Sequence, residues 1–180
     1  MYTLLILNLL VSLGGIGLFF ATMVLAYDYF YNQSVWYTRW VKAVVGPVLI
    51  ATTVGSVIMT LVYSEYFGFI PCSLCWLQRV ALYPQALMSI MAVRVKDTVF
   101  YPLYGIGLSA FGFVVATYHY IYQLVPADVL ASGGLPCLAD GTADCASKVM
   151  NTFGFITFPL LSAVTFLFLM VLYLQLRRSP

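Results

Sequence analysis

Apolar residues fill this chain in five long runs, and most of the polar ones gather between them. The runs extend roughly from Thr3 to Tyr27, Ala43 to Tyr63, Cys72 to Val93, Val99 to Tyr122 and Phe153 to Leu176. A helix needs about 20 consecutive apolar residues to cross a bilayer, and each run has that length. None shows the period-two alternation of a barrel strand, and only helices and closed barrels satisfy their backbone in lipid. The pattern predicts five transmembrane helices. Pro47, Pro84, Pro102 and Pro159 fall where proline kinks a helix or begins one.

Composition agrees: 63% of the 180 residues are hydrophobic and only 8% are charged, against about 25% charged in a soluble domain. The expected fold is all-α, a polytopic membrane helix bundle. No basic segment precedes the first run and no small-residue cleavage site follows it, so that run is expected to stay as a helix. A net charge of +2 gives no reason to expect a nucleic-acid partner.

The placement of charge says more than its sum. Arg39 and Lys42 sit between the first two runs, Arg94 and Lys96 between the third and fourth, and Arg177 and Arg178 follow the fifth. Glu65, Asp128, Asp140, Asp144 and Lys148 fall on the opposite side of a five-helix bundle. Cytoplasmic loops collect Lys and Arg, which predicts an outer N-terminus and a cytoplasmic C-terminus. All four cysteines then lie outside: Cys72 and Cys75 at the mouth of the third helix, Cys137 and Cys145 in the one long outer loop.

An even cysteine count on an oxidising face is compatible with two structural disulfides. The CxxC pair closes too small a ring to be a good staple, since the entropic benefit grows with loop length. It suits redox work, because a thiolate at a helix N-terminus meets unpaired N–H groups and the positive end of the dipole. Zinc would need two further ligands close by, so no metal is expected. Trp76 follows Cys75 where haem attachment requires histidine. Arg79 lies one turn deeper on the Cys75 face and reads either as a snorkelling cation or as an anion-stabilising group beside the thiol. The single histidine, His119, lies at a similar depth in the fourth run. Both loop cysteines are expected to be approachable by a water-soluble partner. The tyrosines and phenylalanines of "YHYIY" and "YSEYFGF" read first as interfacial belts.

"PCSLCWLQR" with "YPQ" behind it, the histidine in "YHYIYQL" and a second outer cysteine pair together resemble the disulfide bond formation protein B (DsbB) family, especially its short members. The resemblance covers about Ala43 to Leu176. It implies a four-helix core over 34–180, with an outer loop at 124–152 and one added transmembrane helix at 1–33. It also implies a bacterial cytoplasmic (inner) membrane protein that reoxidises an extracytoplasmic, DsbA-like thioredoxin-fold partner and passes electrons to quinone, ubiquinone or menaquinone. By the same resemblance Cys137 is attacked by the partner, Cys145 is its bonded mate, Cys72 exchanges with that pair, and Cys75 engages quinone with Arg79 and His119 beside it. The DsbA–DsbB–quinone relay is what keeps a bacterial periplasm oxidising. Two features depart from the family: the added helix, and loop cysteines that lie unusually close together.

Rival readings differ in testable ways. Vitamin K epoxide reductases share a bundle, a CxxC and quinone chemistry, but their loop cysteines precede the CxxC. A non-catalytic scaffold would lose stability without its cysteines, whereas an oxidase would lose turnover. A transporter is disfavoured by the scarcity of intramembrane charge beyond Arg79 and His119.

Overall fold

Five helices carry most of the described chain: α1 (Tyr2–Tyr31), α2 (Val35–Leu61), α3 (Ser73–Val95), α4 (Phe100–Leu124) and α5 (Phe158–Arg178). The structure is a computed structural model and describes residues 2–31, 35–125 and 145–178. Among these residues the only β pairing is an isolated bridge between Thr152 and Ile156. The protein is a polytopic helical membrane bundle.

Helix limits follow local chemistry. α2 begins at Val35, ahead of its apolar run, so Arg39 and Lys42 belong to a helix and not to a loop. It ends in one π-helical turn, Val62–Tyr66. α5 starts at Phe158, later than the apolar pattern implies. Phe153 and Gly154 have φ of +55° and +81°, a left-handed region that no right-handed helix passes through. Thr152 and Ile156 exchange both backbone hydrogen bonds at 3.0 Å across that turn. Pro159 then occupies the first turn of α5, where its missing N–H costs nothing.

α1, α2 with its π turn, α4 and α5 are long and apolar enough to cross a membrane. α3 has the length, 23 residues, but carries Gln78, Arg79, Gln85 and Ser89 and is less apolar; most of these polar residues point inward. Gln78, Gln85 and Ser89 are all buried there. Gln85 Oε1 accepts from Ser109 of α4 and Tyr173 of α5, each at 2.9 Å. Ser89 Oγ meets Thr53 Oγ1 of α2 at 3.0 Å. The outer face is the inverse, with Leu5, Phe20, Leu87 and Val114 more than half exposed, as a lipid-facing surface requires.

Contacts at the helix ends show the up-and-down order. Tyr63 at the end of α2 donates to Asn8 near the start of α1 at 2.6 Å and packs edge-on against Phe158 at the start of α5. At the other end Gln175 of α5 donates to the Leu25 carbonyl and Asp28 of α1, and Tyr101 of α4 meets Tyr173 of α5. α4 and α5 lie closest. A Cβ on Gly105 would strike the Tyr173 ring, and one on Gly112 the Phe166 ring. Small residues let membrane helices pack where the hydrophobic effect gives no drive.

Candidate functional site

At the end of the bundle opposite Tyr101, Asp28 and Gln175, the loop from Phe67 to Pro71 delivers Cys72 as the N-cap of α3. Its backbone is extended (φ −70°, ψ 170°), and its Sγ accepts the Cys75 N–H at 3.3 Å. A sulfur thus does the capping work usually given to a serine or aspartate oxygen. Cys75 follows one turn into the helix, its Sγ 2.8 Å from that of Cys72. Both are free thiols.

The two cysteines look in different directions. Cys72 is buried at 6% exposure in an apolar cluster with Leu74, Val115, Tyr122 and Cys145. Cys145 is disulfide-bonded and fully buried, which corrects the expectation that both loop cysteines are open to a soluble partner. Cys137 lies outside the described residues. Ser73 Oγ stands 3.9 Å from Cys145 Sγ.

His119 joins the two sulfurs' surroundings. Its Nε2 is 3.1 Å from the Cys145 carbonyl and 3.8 Å from Cys72 Sγ. A carbonyl only accepts, so Nε2 carries a proton. The Gln78 amide nitrogen lies 3.1 Å from Nδ1 and donates to it. With both ring atoms engaged, the imidazole presents one N–H toward Cys145 and Cys72. Any negative charge on Cys72 Sγ is met by that N–H, by the Cys75 N–H and by the start of the α3 dipole.

Cys75 faces the other way, into a cavity of ≈ 620 Å³ bounded by α1, α2, α3 and α5. Arg79 lines the same cavity. Its Nη2 donates to the Thr60 carbonyl at 3.0 Å, and its guanidinium stacks 5.2 Å above the Trp76 ring. The Thr60 carbonyl also accepts from Ser64 Oγ, directly before α2 widens into its π turn, a distortion frequent at functional sites. Arg79 is therefore bonded across helices, which separates it from a cation reaching for headgroups. His119 is absent from the cavity wall. Cys72, Cys75, Cys145, Arg79 and His119 gather within one end of the bundle, in two compartments with Cys75 and Gln78 on the boundary: both line the cavity, while Cys75 packs against the Cys72 cluster and Gln78 bonds His119.

Cys72, Cys75 and His119 hold their donor atoms within 4.8 Å of one another. Among the described residues these three donors are one fewer than a closed structural zinc site uses and as many as an open one holds. Gln78 is the residue that reading the sequence overlooked. Its signal was a polar side chain inside a membrane span, three residues beyond Cys75.

Comparison with known proteins bears on this arrangement. The family model described as "Disulfide bond formation protein DsbB" matches residues 42–176. The chain belongs to the DsbB family. It is 38% identical over 120 residues to a "Probable disulfide formation protein" of Oceanobacillus iheyensis, covering 67% of this chain and 79% of the relative. It is also similar to two proteins of Bacillus subtilis. An "SPbeta prophage-derived disulfide bond formation protein B" is 37% identical, covering 72% of this chain and 82% of its own. A "Disulfide bond formation protein C" is 32% identical, covering 75% and 86%. No solved structure matches significantly. DsbB membership gives this chain a thiol–disulfide oxidase role, and α1 lies wholly ahead of the DsbB match.

Proposed function

We propose that this protein is a membrane thiol oxidase that reoxidises an extracytoplasmic thioredoxin-fold dithiol protein and delivers the electron pair to quinone. One observation carries the reading: the Cys72–Cys75 pair stands between a buried disulfide cysteine and an apolar cavity holding a cation. The CxxC end faces outward and the Arg94 and Arg177 end lies in the cytoplasm of a bacterial inner membrane. The four-helix core spans 34–180, with α1 as an addition.

Thiol–disulfide exchange then runs in two balanced stages. A partner thiolate attacks Cys137 and breaks its bond with Cys145. The partner's second thiolate attacks the mixed disulfide, so the partner leaves oxidised and the loop pair holds two electrons. With Cys72 and Cys75 joined, the Cys145 thiolate attacks Cys72 and releases Cys75 as thiolate. The Cys137 thiolate then closes the loop disulfide, leaving Cys72 and Cys75 as the reduced pair. His119, oriented by Gln78, stabilises thiolate at Cys72 through its Nε2–H. The cavity suits a flat lipid-soluble acceptor: it lies within the ~300–1,000 Å³ range of small-molecule sites, with Cys75 and Arg79 together on its wall. Quinone, when bound there, supplies a two-electron, two-proton acceptor. Arg79 offers a fixed positive charge where negative charge develops.

Anaerobic mixing of purified protein, a reduced thioredoxin-fold protein and quinone tests the reading. Quinol is expected in stoichiometric amount with oxidised partner, and Cys75→Ser abolishes it. A partner that stays reduced, or becomes oxidised without quinol, contradicts the reading.

A further inference from the structure

The cavity beside Cys75 is larger and longer than a quinone ring needs, and the helix outside the DsbB match supplies one of its walls. Along α2 its lining runs from Thr60, bonded to Arg79, back through Ser56 and Gly55 to Ala51. At 1.5 Å per residue this is a depth of roughly 13 Å toward the middle of the membrane. α1 contributes Val11, Gly14, Gly15 and Leu18 along a similar depth. The polar groups that engage another helix, Gln78, Arg79 and Tyr63, sit at the outer end.

Among the described residues, α1 packs along α5 and meets α2 chiefly at the Tyr63–Asn8 hydrogen bond. The result is a slot between α1 and α2 that is pinned at its outer end. Its glycines divide into two kinds. A Cβ on Gly15 would strike Leu161, so Gly15 serves the α1–α5 contact. A Cβ on Gly14 or Gly55 would meet nothing within 4 Å, although both line the cavity. Their missing side chains leave room that no neighbour fills.

We propose that the slot between α1 and α2, floored by Gly14 and Gly55, is the subsite for the isoprenoid tail of the quinone, so that the added helix sets which tails this protein accepts. The inference rests on the quinone reading above and goes beyond it in assigning α1 a binding role. An apolar tail is the occupant because the slot is continuous with the Cys75–Arg79 end and runs into the bilayer. Its walls there are mostly glycine, alanine, leucine and phenylalanine, interspersed with Thr52, Ser56, Ser162 and Thr165, of which Thr165 spends its hydroxyl on the Leu161 carbonyl of its own helix.

Equilibrium binding to the full-length, detergent-solubilised protein tests it, using one quinone with a long isoprenoid tail and one with the same ring and a short alkyl tail. Gly14→Leu and Gly55→Leu each fill the slot from a different helix. Gly17→Leu is the control, because its Cβ also meets nothing within 4 Å but Gly17 is off the cavity. Thermal unfolding without quinone verifies that each variant is folded. The expected result is an affinity for the long-tailed quinone lower by about tenfold in both slot variants, equivalent to ~1.4 kcal/mol. The short-tailed quinone should bind nearly as before, and Gly17→Leu should change neither. Equal losses for both quinones, or no loss for either, overturn the tail assignment while leaving the acceptor reading intact. Failure of the unsubstituted protein to bind either quinone overturns both.

Discussion

At the residue scale, the informative contrast is between Cys72 and Cys75, one helical turn apart. Capping α3 turns the first sulfur toward His119 and the Cys145 backbone, while the second meets the cavity. Arg79→Ala and His119→Ala are therefore expected to fail differently. Arg79→Ala raises the quinone concentration for half-maximal rate, by the few kcal/mol that one electrostatic contact in a dry site is worth, about 2–4. His119→Ala slows exchange between the cysteine pairs and leaves quinone affinity unchanged. Rapid-mixing kinetics and quinone titration separate the two effects, and identical defects would refute the division. The buried position of Cys145 sets a further expectation: Cys145→Ser traps a partner mixed disulfide on Cys137. Mass spectrometry of the trapped complex identifies the attacked sulfur, and a partner found on Cys72 would reverse the proposed order.

At the scale of elements, two local devices set how the helices pack and start. Gly112 admits the Phe166 ring into the face of α4. Gly112→Leu is expected to cost about 1–3 kcal/mol by overpacking, while Gly107→Leu, whose Cβ meets nothing within 4 Å, is close to neutral. Thermal unfolding in detergent compares them, and equal stability would remove the close approach as an explanation. Asp97 begins α4. Its carboxylate accepts the N–H groups of Val99 and Phe100 at 2.9 Å and of Tyr101 at 3.1 Å. The bond from Val99, with those from Phe100 and Tyr101, holds its carboxyl below the usual range. A lowered folded value means that the cap contributes fully above the unfolded pKa of ~3.9 and fades as pH falls through the folded one. The melting-temperature deficit of Asp97→Asn should thus be largest near neutral pH and shrink on acidification. A deficit independent of pH would assign the effect to something other than the carboxylate charge.

At the scale of the whole molecule, the bundle separates a thiol-bearing end from one that carries Arg94, Lys96 and Arg177. The charge asymmetry predicts which end is outside. Tyr66→Cys, at a site 78% exposed on the thiol end, should react with a membrane-impermeant thiol reagent on intact cells. Lys96→Cys, in the left-handed C-cap of α3, should react only after the membrane is opened. Both substitutions are made in a background in which Cys72, Cys75, Cys137 and Cys145 are replaced by serine. The reverse pattern would invert the topology and place the exchange chemistry in a reducing compartment.

Reading the sequence was enough to number the helices, four of them long and apolar enough to cross a membrane, to divide charge between two ends, and to bring the CxxC to a helix mouth beside Arg79. These properties are local: apolar run length, residue type and one helical turn of spacing determine them. It also marked Gln85 only as part of a string, because the partners that make it a three-helix junction, Ser109 and Tyr173, come from α4 and α5. The start of α5 was misjudged since Phe153 looks apolar in any window, whereas its φ is set by the turn with Gly154. Tertiary structure alone decided that His119 stands with Cys72 and Cys145 and away from the cavity. Depth along a helix is legible in sequence, but the direction a side chain faces depends on how the helix is rotated by its neighbours. The slot between α1 and α2 is of the same kind, for an empty volume has no residue of its own and exists only where packed helices fail to meet.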